Sequence, residues 1–301
     1  MSLLSHANSL DLDEHAHYHT LVSRNFHFVE PGVQERLREL KILIAGCGST
    51  GGACIEALAR AGVRKFWLAD NGSYELSNLN RQHARLESLG INKAEFHAGE
   101  IKSINPFASV TFSTEGISIH NVEEYVLAAD LIFDAVDVTT PEGIRAKVLL
   151  HQKCHQFHKP VLCGLDLGYL QWGCSFDYRK GDIPVLNGKA ERTLAARHPI
   201  AALFSIYPLG ILPAHSLAMF IDLLEGKVDF ASQMGCTSDS LSAIIVPAAL
   251  KFAGTGELID GWALDLSKYR YTRQERLTAW VKGFGQKRRL RKLVNSFLGP
   301  L

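Results

Sequence analysis

Apolar runs of strand length alternate with stretches of helical spacing along the first half of the chain. KILIAG (41–46) is a short apolar run closed by glycine and predicts a buried strand, and GACIEALARAG (52–62) follows with helical spacing and a glycine stop. KFWLAD (65–70) predicts a second strand, and NKAEFHAGEIKSI (92–104) predicts a helix that ends before Pro106. SVTFST (109–114) reads as a third strand, NVEEYVLA (121–128) as a helix and LIFDAV (131–136) as a fourth strand. These strands are apolar throughout rather than alternating, so both faces of their sheet should be covered, as in a parallel sheet. Ligands of such sheets settle outside the carboxyl ends of the strands.

Upstream, VQERLREL (33–40) has helical spacing, with Leu37 and Leu40 facing the first strand. Downstream, IRAKVLLHQKCHQF predicts a helix, KPVLCGLDL and YLQWGCSFDYR further strands, SDSLSAIIVPAALKFAG a helix and GWALDLS a strand. The region from 179 to about 235 is less regular and punctuated by proline. Its apolar stretch Ile200–Leu224 is broken by Pro208, Pro213, His215 and Asp222, which favours a buried helical hairpin over a membrane span. The expected fold is α/β, a Rossmann-like, mainly parallel sheet with helices on both faces, plus a helical insertion and an antiparallel extension in the C-terminal half. The expected divisions are a flexible segment 1–20, a nucleotide-binding half 21–175, an acceptor-side half with the insertion 176–280, and a basic tail 281–301.

Composition narrows the classes. With 32 basic and 31 acidic residues the formal charge is +1, so any attraction to nucleic acid or membrane must be local. The six cysteines form no C-x-x-C pair, which argues against a disulfide scaffold and against a structural zinc site. The N-terminal stretch lacks the basic, apolar and small-residue order of a secretory signal, so a cytoplasmic location is expected; the near-neutral charge and the broken apolar stretch lead to the expectation of no membrane partner.

The chemistry concentrates in two stretches. GCGSTG places Gly46, Gly48 and Gly51 at a strand-to-helix turn, where a phosphate can approach the backbone and the free N–H groups of a helix N-terminus. Asp70 closes the second strand about twenty residues on, where a carboxylate accepts hydrogen bonds from ribose hydroxyls. ELSNLNRQ (75–82) then adds Asn78 and Arg81, which at i, i+3 would share a helical face, and Lys93 opens the next helix. Asp137, just beyond LIFDAV, is suited to a magnesium ion bridging phosphates. Singly, each has an ordinary structural role as turn former, surface charge or cap; together, at one sheet edge, they form a set for handling a reacting phosphate.

Glycine turn, acid, SNLNRQ, GINK and DAVD together resemble the ubiquitin-activating-enzyme-like superfamily, which includes the ThiF, MoeB and HesA adenylyltransferases. VSRNFHF upstream is similar to the family's arginine-bearing segment, and AALKFAG with GWALDL to its closing helix and strand, so the resemblance covers roughly 22–165 and 236–268. It implies that ATP and magnesium are used to adenylate a C-terminal carboxylate, usually of a ubiquitin-like protein or peptide. By the same resemblance Asp70 binds ribose; Asn78, Arg81 and Lys93 bind the phosphates with support from Gln82; Asp137 holds magnesium; and Arg24 reaches across a homodimer. The pattern departs from the family at Gly72, where a second acid is usual, and at Arg145, displaced by TTPEG.

Some relatives pass the acyl group to a cysteine. Cys163 and Cys174 are weaker candidates for that step than Cys236, which precedes the closing helix; adenylation without a thioester is the favoured expectation. His15, His17 and His19 alternate in a segment read as disordered, and Cys154 with His158 is read as a helix end. The basic run Lys287, Arg288, Arg289, Arg291 and Lys292 carries apolar residues among its charges, fitting an acidic ubiquitin-like partner or the phosphates of a tRNA. A nicotinamide-dependent oxidoreductase and a degenerate nucleotide-binding scaffold stand as alternatives.

Overall fold

The computed structural model describes residues 13–298. Residues 1–12, most of the segment expected to be flexible, lie outside the described residues, but the rest of that segment is helical. Helix α1 (Glu14–Leu21) is capped by the Asp13 side chain, which accepts from Ala16 N. Tyr18 pins it down: its hydroxyl donates to the Gly62 carbonyl and lies buried between α1 and α2 (Pro31–Glu39). On a helix the alternating histidines do not share a face; His15 stacks on His19 while His17 turns its edge to Phe107.

Five parallel strands follow in the predicted places: β1 (Lys41–Ala45), β2 (Lys65–Ala69), β3 (Ser109–Ser113), β4 (Leu131–Asp134) and β5 (Pro160–Leu167). β6 (Leu170–Asp177) pairs antiparallel with β5 and β7 (Gly261–Asp265) antiparallel with β6, so the sheet runs β3-β2-β1-β4-β5-β6-β7. The order reverses between β2-β1 and β4, and the crevice this opens at the carboxyl ends is the place for a ligand.

Helices α3 (Ser49–Ala61) and α4 (Lys93–Ile104) cover one face with α2, and α5 (Val122–Ala128) and α6 (Pro141–Gln156) cover the other. Ile42 and Ile44 of β1 pack with Ile55, Phe66 and Ile101 in one core, while Leu43 packs with Val126, Ile132 and Val148 in the second. Period-two alternation within an all-apolar strand thus feeds two cores, as the sequence pattern required. Cys154 is buried on α6, whereas His158 lies beyond that helix's end and its ring contacts the Tyr178 carbonyl.

The irregular region resolves into α7 (Ala190–Leu194), α8 (Pro199–Ile206) and α9 (Leu217–Leu224) joined by short 3-10 turns, and its apolar residues extend the second core. Helix α10 (Gly235–Thr255) crosses back to pack on α3, and α11 (Ser267–Arg270) leads into α12 (Arg273–Phe297). The basic tail is therefore the end of one long helix that begins before residue 281 and seals α9 with Leu290 and Val294. Among the described residues no helix is long and apolar enough to cross a membrane.

One buried histidine supports the site from below. His97 of α4 meets the Tyr74 hydroxyl at 2.9 Å, and burial holds its pKa down to about 3, so it stays neutral. The unfolded chain takes up this proton near pH 6.5 and the folded one does not, so stability falls as pH drops below 6.5 and His97 stops contributing near 3. Urea titrations at pH 6.5 and 5.5 should show His97→Asn relieving the loss of stability across that interval by about 1 kcal/mol.

Candidate functional site

The turn after β1 is built by two glycines for different reasons. Gly46 has φ 91°, and a Cβ there would overlap the Ala135 carbonyl; a Cβ on Gly51 would overlap the Gly46 carbonyl. These two let β1, β4 and α3 approach one another. Gly48 faces open space: a Cβ would first meet the Gln82 amide at 3.9 Å and Lys93 Nζ at 4.0 Å. The position that needs no glycine for packing is the one facing the predicted phosphate-handling groups. Gly51→Ala is accordingly expected to lower stability by about 1–3 kcal/mol, while Gly48→Ala leaves the thermal midpoint unchanged and weakens nucleotide binding, both read by thermal unfolding with and without nucleotide.

Asp70 ends β2 and folds back onto the turn. Its carboxylate accepts from Cys47 N at 2.6 Å and from Gly72 N at 2.7 Å. Burial raises its pKa, with Lys93 opposing and Asp137 adding to the effect, which places both groups within electrostatic reach. Asn92 caps α4 and ties the two elements together: its side chain accepts from Ala94 N and donates to the carbonyls of Asp70 and Gly72. Lys93, the first residue of α4, is thereby aimed at the glycine turn. At Gly72, where the family carries a second acid, a Cβ would sit 3.3 Å from Lys93 Nζ.

Asn78 and Arg81 do not share a helical face. A 3-10 turn (Leu76–Asn78) ends at Asn78, whose buried side chain turns inward to accept from Glu75 N. Its carbonyl accepts from the backbone N–H groups of Arg81 and Gln82, so its place in the set is to anchor the next two residues. Arg81 is held by the Ser77 carbonyl, the Asn80 side chain and Gln233 Oε1. Burial lowers its pKa, partly offset by Asp166 and Asp137, which lie close enough to act on its charge. Gln82 is buried, and its Oε1 has no hydrogen-bond partner among the described residues. An orphaned polar atom beside an open glycine is what a bound polar ligand would satisfy.

Asp137 lies exposed beyond β4. Thr139 donates to its Oδ1 from both N and Oγ1, leaving Oδ2 without a hydrogen bond among the described residues. Arg24 stands apart: the neighbouring Asn25 donates to the Ala61 carbonyl at the far end of α3, so Arg24 is exposed a helix length from the glycine turn. Cys236 is exposed on the first turn of α10, next to Gly235, which packs on Asn80 and Arg81. Arg145 pairs with Glu142 on the surface, away from this set.

Two clusters were not foreseen. Asp166, at the carboxyl end of β5, accepts from Ser49, Thr50 and Ser238 hydroxyls and from Gln171, pinning the first turns of α3 and α10 together. Beneath Asp137, buried Asp134 pairs with Lys147 and His151 of α6, near Cys163. His151 meets Tyr178 at 2.8 Å through its other nitrogen. Asp134, His151 and Cys163 together have the donor set of a metal site, but the Lys147 ammonium already meets the Asp134 charge. The signals were there: Asp166 and Asp134 are acids within apolar strands, and Lys147 and His151 lie four apart on one helix face.

The chain is similar to known proteins in sequence and in fold. The chain is 29% identical over 162 residues to the sulfur carrier protein ThiS adenylyltransferase of Bacillus subtilis, covering 53% of this chain and 46% of that protein. It is 35% identical over 123 residues to the tRNA threonylcarbamoyladenosine dehydratase of Escherichia coli, covering 40% of this chain and 44% of that one. The matches span less than half the length of these curated relatives. The crystal structure of PaaA superimposes with a TM-score of 0.60 at 21% identity, covering 86% of this chain and 73% of that one, a likeness of fold. The ThiF family model matches residues 22–176, just over half of the sequence, and the chain belongs to the ThiF family.

Proposed function

We propose that this protein is an ATP-dependent adenylyltransferase that activates a carboxylate, the C-terminus of a ubiquitin-like protein or peptide, as an acyl-adenylate with release of pyrophosphate. The observation that carries this reading is the convergence of Lys93, Gln82 and the open face of Gly48, with Arg81 held beside them by Gln233. Relatives named as adenylyltransferases support the reaction, and the Bacillus relative, named for a sulfur carrier protein, supports the kind of acceptor.

In this reading a carboxylate oxygen attacks the α-phosphorus, the bond to the bridging oxygen breaks, and pyrophosphate leaves with the electron pair. No proton moves, so the residues have no general base to supply. Their task is to neutralise charge where two anions meet. Lys93 and the N–H groups of α3 face the phosphates, Asp70 faces the ribose, and Arg81 sits where the acceptor side meets the phosphates. A magnesium ion on the phosphates would be held by Asp137 through Oδ2 and would supply further charge neutralisation.

The homodimer belongs to the same proposal. Arg24 precedes Phe26 and Phe28, which are 64% and 91% exposed, so the arginine arm carries apolar surface that a partner copy would cover. A nicotinamide enzyme would leave Arg81, Lys93 and Asp137 without work.

The test is mass spectrometry of a candidate acceptor ending in Gly-Gly after incubation with protein, ATP and magnesium. A mass increase of one AMP, with pyrophosphate released, is expected. Hydride transfer to NAD with no nucleotide adduct would overturn the reading.

A further inference from the structure

The near-zero net charge conceals a separation. Helix α12 carries eight Lys and Arg against one Glu, a net +7, whereas the whole chain carries +1, so the rest of it carries −6. One side of α12 is fixed to the body: Leu290 and Val294 are buried, Gly283 packs on Leu217 and Ala214, and Arg289 pairs with Glu225. Another side is bare. Leu277, Trp280, Val281 and Phe284 are between 56% and 61% exposed and follow one another at helical spacing. The Trp280 and Phe284 rings already pack edge to face, with centroids 4.5 Å apart. Arg273 precedes this patch on the same side of the helix, and Arg288 and Arg291 extend it.

We propose that this side of α12 docks on the surface of an anionic lipid bilayer, independently of the adenylation reading. A rigid helix presenting Leu, Trp, Val and Phe in a row, framed by Arg and Lys, matches the apolar level and the charged headgroup level of such a surface together. Charge complementarity selects among occupants. A second copy docked through the same patch would bring two basic helices face to face, and a nucleic acid would meet the arginines but offer nothing to Leu277 and Val281. The expectation of no membrane partner rested on chain-wide charge and on the lack of a spanning segment, and neither bears on a peripheral helix.

The test is sedimentation of the full chain with vesicles of phosphatidylcholine alone and of phosphatidylcholine with about a third phosphatidylglycerol. Binding is expected to the anionic vesicles and to fall as salt rises. Trp280→Ser with Phe284→Ser should weaken it about tenfold or more, and Arg288→Gln and Arg291→Gln about fivefold each. Unfolding midpoints should stay unchanged, because these side chains are exposed. Three results would overturn the proposal: no vesicle binding, binding to tRNA in place of vesicles with Trp280→Ser having no effect, or a dimer in solution that Trp280→Ser with Phe284→Ser dissociates.

Discussion

Arg81→Ala and Asp137→Ala are each expected to reduce ATP–pyrophosphate exchange by about a thousandfold, while nucleotide binding weakens by about tenfold or less. The split follows from where the groups stand. In the proposed reaction Asp70, the glycine turn and the N-terminus of α3 would hold the parts of a nucleotide that do not change, and both variants leave these groups intact; Arg81 and Asp137 would act where negative charge accumulates as the carboxylate approaches. Arg81 is positioned from three sides, by Ser77, Asn80 and Gln233, so Arg81→Lys should recover little: a lysine cannot reproduce that fork. Gln233→Ala, which removes one support and leaves the guanidinium, is expected to cause an intermediate loss. Exchange rates and calorimetric binding on the same samples separate these effects.

Lys147→Met is expected to cost about 3–5 kcal/mol of folding stability, read by urea unfolding at pH 7, although it is isosteric enough to pack. Burial pushes the Asp134 carboxyl up, but the Lys147 charge and the His151 hydrogen bond outweigh it and hold its pKa well below the usual carboxylate range. Its contribution is therefore complete above the unfolded carboxylate value and is lost only as pH falls through the lower folded one. Removing the lysine leaves a fully buried anion with one partner fewer. Without that charge Asp134 takes up a proton more easily, so the deficit of the variant should shrink as pH falls. Asp134→Asn added to Lys147→Met should restore much of the loss, since the asparagine oxygen can still accept from Val136 N, as Asp134 Oδ1 does. The same contact makes the pair a foundation for the loop that ends at Asp137.

The first half of the fold was legible because β1, β2 and β4 are short apolar runs, α3 ends at a glycine and α4 ends just before a proline. The acceptor-side half was harder. Helix α7 is a single short turn or so, and α8 is buried along almost its whole length, so neither carries a clear period. The candidate site was legible in position at Asp70, which follows a strand, and at Lys93, which opens a helix, whereas Gly46 and Gly51, read as places for a phosphate to approach, serve the packing of β1, β4 and α3. It was misread at Asn78, because helical spacing was assumed where a 3-10 turn directs the side chain inward. Asp166 went unseen because its partners come from segments far apart in sequence, and the Asp134–Lys147–His151 cluster because it joins a strand to the next helix, which the period of neither element reveals. Arg24, assigned to the site only through the proposed homodimer, lies beyond the far end of α3 from the glycine turn.

The central claim is that the groups around Gly48 hold a triphosphate. Thermal unfolding with magnesium and ATP, against the same concentration of NAD, tests it most directly. At a hundredfold excess over the dissociation constant, ATP should stabilise the fold by about 2.7 kcal/mol, and Gly48→Ala and Lys93→Ala should diminish that gain. Stabilisation by NAD with none by ATP would contradict the account.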